Sequence, residues 1–515
     1  MTPTDPAAAL SFLEGAPRGA AVMQSSEARA AAAPRSSSDP FALLRHLEQA
    51  LLRPVDVAWL AAYRVLFGLA LSVSMERFLA YGWVDSLLVA PRVRFHYWGF
   101  GWVEPLSRGS MYALFWILAG LALAMAAGLA FRVTAPLFAA GLTYIQLIDV
   151  STYLNHYYLA GLIAWLLAIS PANRAWSVDA WIRSRLRRRS PERAARHEST
   201  VAVAWLVLFR VQIGVVYVFA GLAKAQSDWL LHGQPLGIWL GASTSIPLLG
   251  KLFTVPGIPL AMSWFGFLFD TSIVFWLSWK RTRPWAYAVV IVFHVMTRLL
   301  FDIGMFPIIM SASALVFFGA SWPRTLVARL RGAQLEARTA PEAASNAAPS
   351  RSRSLVYRAA LVLGGLYCVV QILAPLRCHL YGGNVLWHEQ GMRFSWRVMV
   401  RAKGGATTFL VRQKDTGRVF HVGPRDYLNA YQENEMSSQP DLVLQLAHHI
   451  RRDFEGRGFG PVEVRVESKV SLNGRSGALM IDPDVDLTTI EDGLGRATWI
   501  LPAPSEPPPP TRPVS

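Results

Sequence analysis

The sequence predicts an integral membrane all-α helical bundle of about nine transmembrane helices, followed by a C-terminal extracytoplasmic β-rich α+β domain. Three observations predict it. The 515 residues are 53% hydrophobic and only 16% charged, too apolar for a soluble chain of this size. Apolar runs of about 20 residues recur along the first three quarters of the chain. After Leu376 that pattern gives way to short alternating segments and polar turns.

Residues 1–53 are expected to form a disordered cytoplasmic lead, rich in Ala, Ser and Pro over about its first 40 positions and without the basic start and continuous apolar run of a signal peptide. Candidate spans in the 54–376 membrane domain lie near 57–81, 111–131, 133–150, 154–170, 201–223, 257–278, 285–301, 304–320 and 355–376. Arginines cluster between them at Arg183–Arg196, around Arg281 and Arg283, and from Arg324 to Arg353. With a cytoplasmic N-terminus, nine spans put every cluster on the cytoplasmic side, as the positive-inside bias requires. That sorting also explains the net charge of +16 without nucleic acid as a partner.

The 377–501 domain reads as strands near 394–400 and 406–413 joined by Lys403-Gly404-Gly405, then a turn at Asp415-Thr416-Gly417 into 418–422. An amphipathic helix over 440–454 follows, then alternation over 462–470 and a short strand near 498–501. Pro-rich residues 502–515 form a tail without structure.

Lysine is scarce: six residues (Lys224, Lys251, Lys280, Lys403, Lys414, Lys469) against 44 arginines. Lys224 ends the fifth apolar segment. Lysine, unlike arginine, can lose its proton when desolvated, so its use here points to a base rather than an anchor. The plain alternative is a lysine snorkelling to the interface. Nine spans place Lys224 on the outer side with Asn155 and His156, which begin the fourth span, and with His294, Arg298 and Asp302, spaced by four residues along the seventh. Taken singly, His294 reads as a satisfied core histidine and Arg298 with Asp302 as a helix ion pair.

No phosphate-cradling loop, zinc spacing, nucleophile elbow or convincing carboxylate pair occurs, and Cys368 and Cys378 make no disulfide framework. The chemistry left is proton abstraction from a flat, membrane-resident, phenol-like molecule.

The residues resemble the vitamin K-dependent γ-glutamyl carboxylase family across most of 54–501. The likeness runs through Arg64 and Gly68, Asn155-His156-Tyr157-Tyr158-Leu159, Trp176-Ser177-Val178-Asp179, Arg210-x-Gln212 with Tyr217, Ala220-Gly221, Lys224 and Asp228-Trp229. It continues through His294, Ile303-Gly304-Met305-Phe306, Trp322-Pro323-Arg324, the long stretch from Gly383 to Met399, and Ile481-Asp482-Pro483-Asp484-Val485-Asp486.

The resemblance implies that Lys224 deprotonates vitamin K hydroquinone (phylloquinol or menaquinol), which reacts with oxygen to give a stronger base and leaves as its epoxide. That base removes a glutamate γ-proton, and the carbanion attacks carbon dioxide. Asn155 and His156 would serve those steps, and His294, Tyr217, Arg210 and Gln212 would line the quinol site. Trp387, Arg393 and Trp396 would hold a glutamate-containing exported protein or peptide, and no metal is implied. Animal members carry a second lysine before the base, where this chain has Ala223. The two cysteines and the shorter chain suggest a short bacterial-type member, in the inner membrane if prokaryotic and the endoplasmic reticulum if eukaryotic. Other readings are a non-catalytic quinone- or lipid-binding membrane protein, an epoxidase without carboxylation, and a maturation factor for exported proteins.

Overall fold

The computed structural model describes residues 42–186, 199–247, 249–332 and 351–510. The expected unstructured lead falls largely outside these, as does the end of the tail. A helix over Ala42–Leu52 belongs mostly to a separate N-terminal unit, and everything from Ala50 onward forms a second unit.

Helices form at all nine expected positions: α1 (Ala58–Ala80), α2 (Arg108–Ala127), α3 (Phe131–Ile148), α4 (Asn155–Ile169), α5 (Val203–Leu222), α6 (Ile258–Ser278), α7 (Arg283–Leu300), α8 (Phe306–Ser313) and, after α9 (Trp322–Leu330), α10 (Arg351–Leu376). The expected count of nine crossings is not what their dimensions support. Six helices among the described residues are long and apolar enough to cross a membrane, or seven if the pair over Phe306–Phe317 and Trp322–Leu330, bent by 100°, counts as one span. The reasons are local. Helix α4 has 15 residues, about 22 Å at 1.5 Å per residue against a hydrocarbon core of about 30 Å. Helix α7 carries Arg283, His294 and Arg298. Helix α8 tightens into a 3-10 turn over Ala314–Phe317.

Contacts sort the two ends of the bundle. At one end β1 (Pro54–Asp56) pairs antiparallel with β2 (Thr200–Ala202), and Arg324 Nε donates to Asp56 Oδ2 at 2.8 Å. Arg64, fully buried on α1, donates to the carbonyls of Ala126, Ala172 and Trp176. Asp179 accepts the first free amides of α3, from Ala130 and Phe131, a helix N-terminal cap supplied from the first turn of the helix over Val178–Leu186. The family-like strings Arg64 and Trp176–Asp179 are therefore scaffold.

At the other end lies the β-rich domain, a four-stranded antiparallel sheet in the order β4 (Val419–Val422), β3 (Lys403–Gln413), β5 (Val462–Leu472), β6 (Ala478–Leu479). The inward residues of β5, Val462, Val464, Val466 and Val470, share a core with Leu442, Leu446, Ile450 and Phe454 of α11 (Pro440–Gly456). Val93, Phe95, Val150 and Ala223 from the bundle's loops join that core, so the two parts are packed together.

One expected strand is absent. Residues 394–400 are irregular, and Phe394, Trp396 and Met399 all take positive φ. A strand would turn Phe394 and Trp396 to the same face of the sheet. Instead Trp396 enters the bundle core and stacks on Tyr158 of α4 at 4.9 Å, while Phe394 meets Tyr153. Lys403-Gly404-Gly405 is not a turn but the start of β3, paired with Leu472 to Val470. Near 498–501 only a single bridge, Ile481 to Ile500, forms.

Candidate active site

Lys224 lies two residues beyond α5, and its amine is paired rather than free. Nζ donates to Asp270 Oδ2 on α6 at 2.8 Å and to Ala220 O at 3.1 Å, and it stands 5.3 Å from the ring centre of Trp229. Both side chains of the pair are about 8% exposed. The approach of α5 to α6 depends on Gly221, where an added Cβ would lie 2.7 Å from the backbone nitrogen of Thr271. Sequence reasoning missed Asp270. The available signal was a single ionisable residue in an otherwise apolar 21-residue helix, a costly placement that marks a functional candidate.

Asn155 and His156 start α4 and line a cavity of about 510 Å³ at the junction of the bundle and the β-rich domain. Aromatic rings of Phe78, Trp83, Tyr97, Phe115, Phe306 and Tyr431 line it together with aliphatic side chains such as Met75, Leu87, Leu88, Leu142 and Ile145. Its polar residues, besides the tyrosines, are Arg77, Gln146, Thr152, Asn155, His156, Asp302 and Glu435. Tyr153 Oη donates to Asn155 Oδ1 at 3.0 Å, which fixes the amide. Gly304, at φ 57°, lets its backbone pass close to His156, whose Nε2 would lie 3.6 Å from a Cβ there.

His294 is buried and shares a 3.2 Å hydrogen bond through Nε2 with Tyr217 Oη, and its Nδ1 has no partner among the described residues. Phe306 separates it from His156, with ring centres 6.0 and 6.3 Å away. Neither Lys224 nor His294 lines the cavity. Of the expected outer-side trio on α7, only His294 is buried. Arg298 and Asp302 form a loose, exposed pair at 3.9 Å.

Arg210 and Gln212 do not line this cavity. Arg210 donates to the carbonyls of Val316, Phe317 and Phe318, where α8 and its 3-10 turn run out of partners. Gln212 Oε1 accepts from Tyr367 of α10 at 2.5 Å.

In the β-rich domain Trp387 is buried, its Nε1 donating to Leu501 O, with Lys403 over its ring at 5.7 Å. Arg393 donates to Asp441 and Gln439, and Trp396 sits in the membrane-domain core. Lys403 also pairs with Glu389 at 3.0 Å, and burial pushes its amine down to about 8 against that attraction. Glu435, on the cavity wall, is held above the usual carboxylate range by burial. Neither was foreseen. Between Glu389 and Met399 four side-chain-bearing residues adopt positive φ, a concentration of backbone strain of the kind found at functional sites. Among the described residues no group of three or more His, Cys, Asp or Glu is arranged to hold a metal ion.

This architecture is that of a multi-pass membrane protein with an HTTM domain, a family that matches residues 52–322. The lumenal domain of vitamin K-dependent γ-carboxylase matches residues 357–506, and with both matches the chain belongs to the vitamin K-dependent γ-carboxylase family. Those domains mark a carboxylase-like membrane enzyme of that type. No solved structure matches the chain.

Proposed function

We propose that this protein oxidises a reduced naphthoquinone, phylloquinol or menaquinol, to its epoxide with oxygen and uses that reaction to carboxylate glutamate in an exported protein or peptide. The observation that carries the reading is the cavity at the domain junction. It receives Asn155 and His156 from the bundle and Val398, Met399 and Glu435 from the β-rich domain. Its aromatic walls and sparse polar groups fit a flat fused ring, and its volume is that of small-molecule sites generally.

Bound there, the quinol supplies the reducing power that turns oxygen into a base strong enough to remove a glutamyl γ-proton. The remaining work belongs to the chain. Lys224 takes up the proton that starts the reaction at Nζ. Asn155, fixed by Tyr153, and His156, fixed between Tyr157 and Phe306, orient the reacting groups. Trp387, Arg393 and Trp396 shape the segment that presents the peptide, whose γ-carbon then accepts carbon dioxide. His294 and Tyr217 hold the layer between Lys224 and the cavity. In this reading 54–376 is the catalytic domain, 377–501 the extracytoplasmic substrate domain, 1–53 a cytoplasmic lead and 502–515 a tail. The β-rich domain then faces away from the cytoplasm, on the side where the quinol enters from lipid and the peptide from water.

The test is epoxide formation by membranes carrying Lys224→Ala or Lys224→Arg. Both are expected to lose it, with an added small amine restoring part of the Lys224→Ala activity. Unchanged epoxidation in both variants overturns the assignment.

A further inference from the structure

We propose that the base is the Lys224–Asp270 pair, with Asp270 a positioning residue that holds the amine in place and receives the proton Lys224 passes on. The inference rests on the proposed function and deepens it.

The geometry poses a problem for a lone lysine base. Nζ directs N–H bonds at Asp270 Oδ2, 2.8 Å away, and at Ala220 O, 3.1 Å away, and an ammonium has no lone pair with which to accept a proton. Among the described residues Lys224 is the charged partner recorded for Asp270, the one ionisable residue of α6. The titratable neighbours are Tyr217 on α5 and His294 on α7, which are hydrogen-bonded to each other. The Lys224 amine keeps a third N–H, because Asp270 and Ala220 occupy two.

The pair solves the problem by moving two protons in one direction. Lys224 Nζ first gives one of its own protons to Asp270 Oδ2 and then, with its lone pair freed, takes up the proton that leaves the quinol hydroxyl across the Tyr217–His294 layer, the bonding pair staying on the quinol oxygen. Lysine ends as it began, an ammonium. Asp270 ends as a neutral carboxylic acid. One O–H bond breaks and one O–H bond forms, with no change of oxidation state. This also accounts for a carboxylate in the middle of an apolar helix, which simple anchoring of Lys224 near a polar interface would not need.

The experiment uses the full-length protein in detergent or vesicles. Reduced naphthoquinone is added without oxygen, so that no turnover occurs, and the infrared difference spectrum is recorded. Protein carrying carbonyl-labelled aspartate identifies the aspartate signal without any substitution. A protonated-carboxyl band that shifts with the label is expected, absent from Asp270→Asn and displaced in Asp270→Glu.

With oxygen present, Asp270→Asn is expected to epoxidise about 100-fold more slowly. Its rate should also acquire a rise with pH, because the amine must then accept the proton alone. Asp270→Glu recovers much of the rate and the flatter profile, which a purely structural role would not predict. Absence of the band, with an Asp270→Asn rate and profile like the parent's, overturns the inference. If Lys224→Ala abolishes epoxidation while Asp270→Asn leaves rate and profile intact, this inference alone fails. If both variants keep full activity, the proposed function falls with it.

Discussion

Arg475 grips Asp228 through both carboxylate oxygens, at 2.6 and 2.7 Å, only four residues beyond Lys224. Asn473 adds a third bond at 2.8 Å from the same turn between β5 and β6. The β-rich domain is thus bolted to the segment that carries the candidate base. Replacing Arg475 with Met leaves Asp228 buried without its partner, at a cost of about 3–5 kcal/mol. Thermal melting of the purified protein should show the loss, and epoxidation should fall with it.

The same contact sets an acid dependence. The Arg475 and Asn473 bonds hold the Asp228 carboxyl below its ordinary value of 3.8 against burial. A lowered carboxylate contributes stability above its unfolded value that disappears as pH falls through the folded one. Stability curves of the parent and Arg475→Met should therefore converge in strong acid. A constant gap down to the lowest pH reached would contradict the assignment.

Lys403 predicts a change of the same sign at high pH. Folded, its amine releases a proton at about 8; unfolded, it holds the proton up to 10.5. Between these values the unfolded chain binds more protons, so this group's contribution to stability rises with pH. Melting temperatures of Lys403→Met should lack that rise.

Gly221→Ala tests the approach of α5 to α6. The added methyl would sit 2.7 Å from Thr271 N and 3.1 Å from Asp270 C, both backbone atoms that cannot swing aside. A cost of about 1–3 kcal/mol is expected. The displaced helices would lengthen the Lys224–Asp270 contact, so epoxidation should drop more than melting temperature alone explains.

Trp396→Ala tests whether the irregular segment anchors the two domains. Removing a buried indole costs about 3–5 kcal/mol. Limited proteolysis should then cut between α10 and β3 faster than in the parent.

Much of this fold was readable because its drivers are local. Apolar runs marked the bundle helices except α9, and alternation from Val462 to Val470 marked β5. Crossing number was less readable, since the length of α4 and the break after α8 depend on what surrounds them. Segment 394–400 misled because its alternating pattern answers to the bundle, not to a neighbouring strand. Gly405 looked like turn chemistry, yet a Cβ there would lie 2.7 Å from Ser437 O, so glycine serves close packing inside β3.

The site divides in the same way. Lys224, Asn155, His156 and His294 stood out as polar residues at helix ends or in apolar helices, where chemistry is conspicuous. The pairing of Lys224 with Asp270 joins residues 46 apart and exists only through helix packing. Arg210 and Gln212 carried the family's pattern, yet their contacts are with α8's carbonyls and Tyr367, which sequence spacing alone does not distinguish from a ligand site.

The most direct measurement is a coupled assay on the purified protein with reduced naphthoquinone, oxygen, labelled bicarbonate and a glutamyl peptide, with epoxide and fixed label scored separately. The account predicts both products in the parent protein, neither in Lys224→Ala, and label lost more than epoxide in His156→Ala. Quinone binding without either product would contradict it.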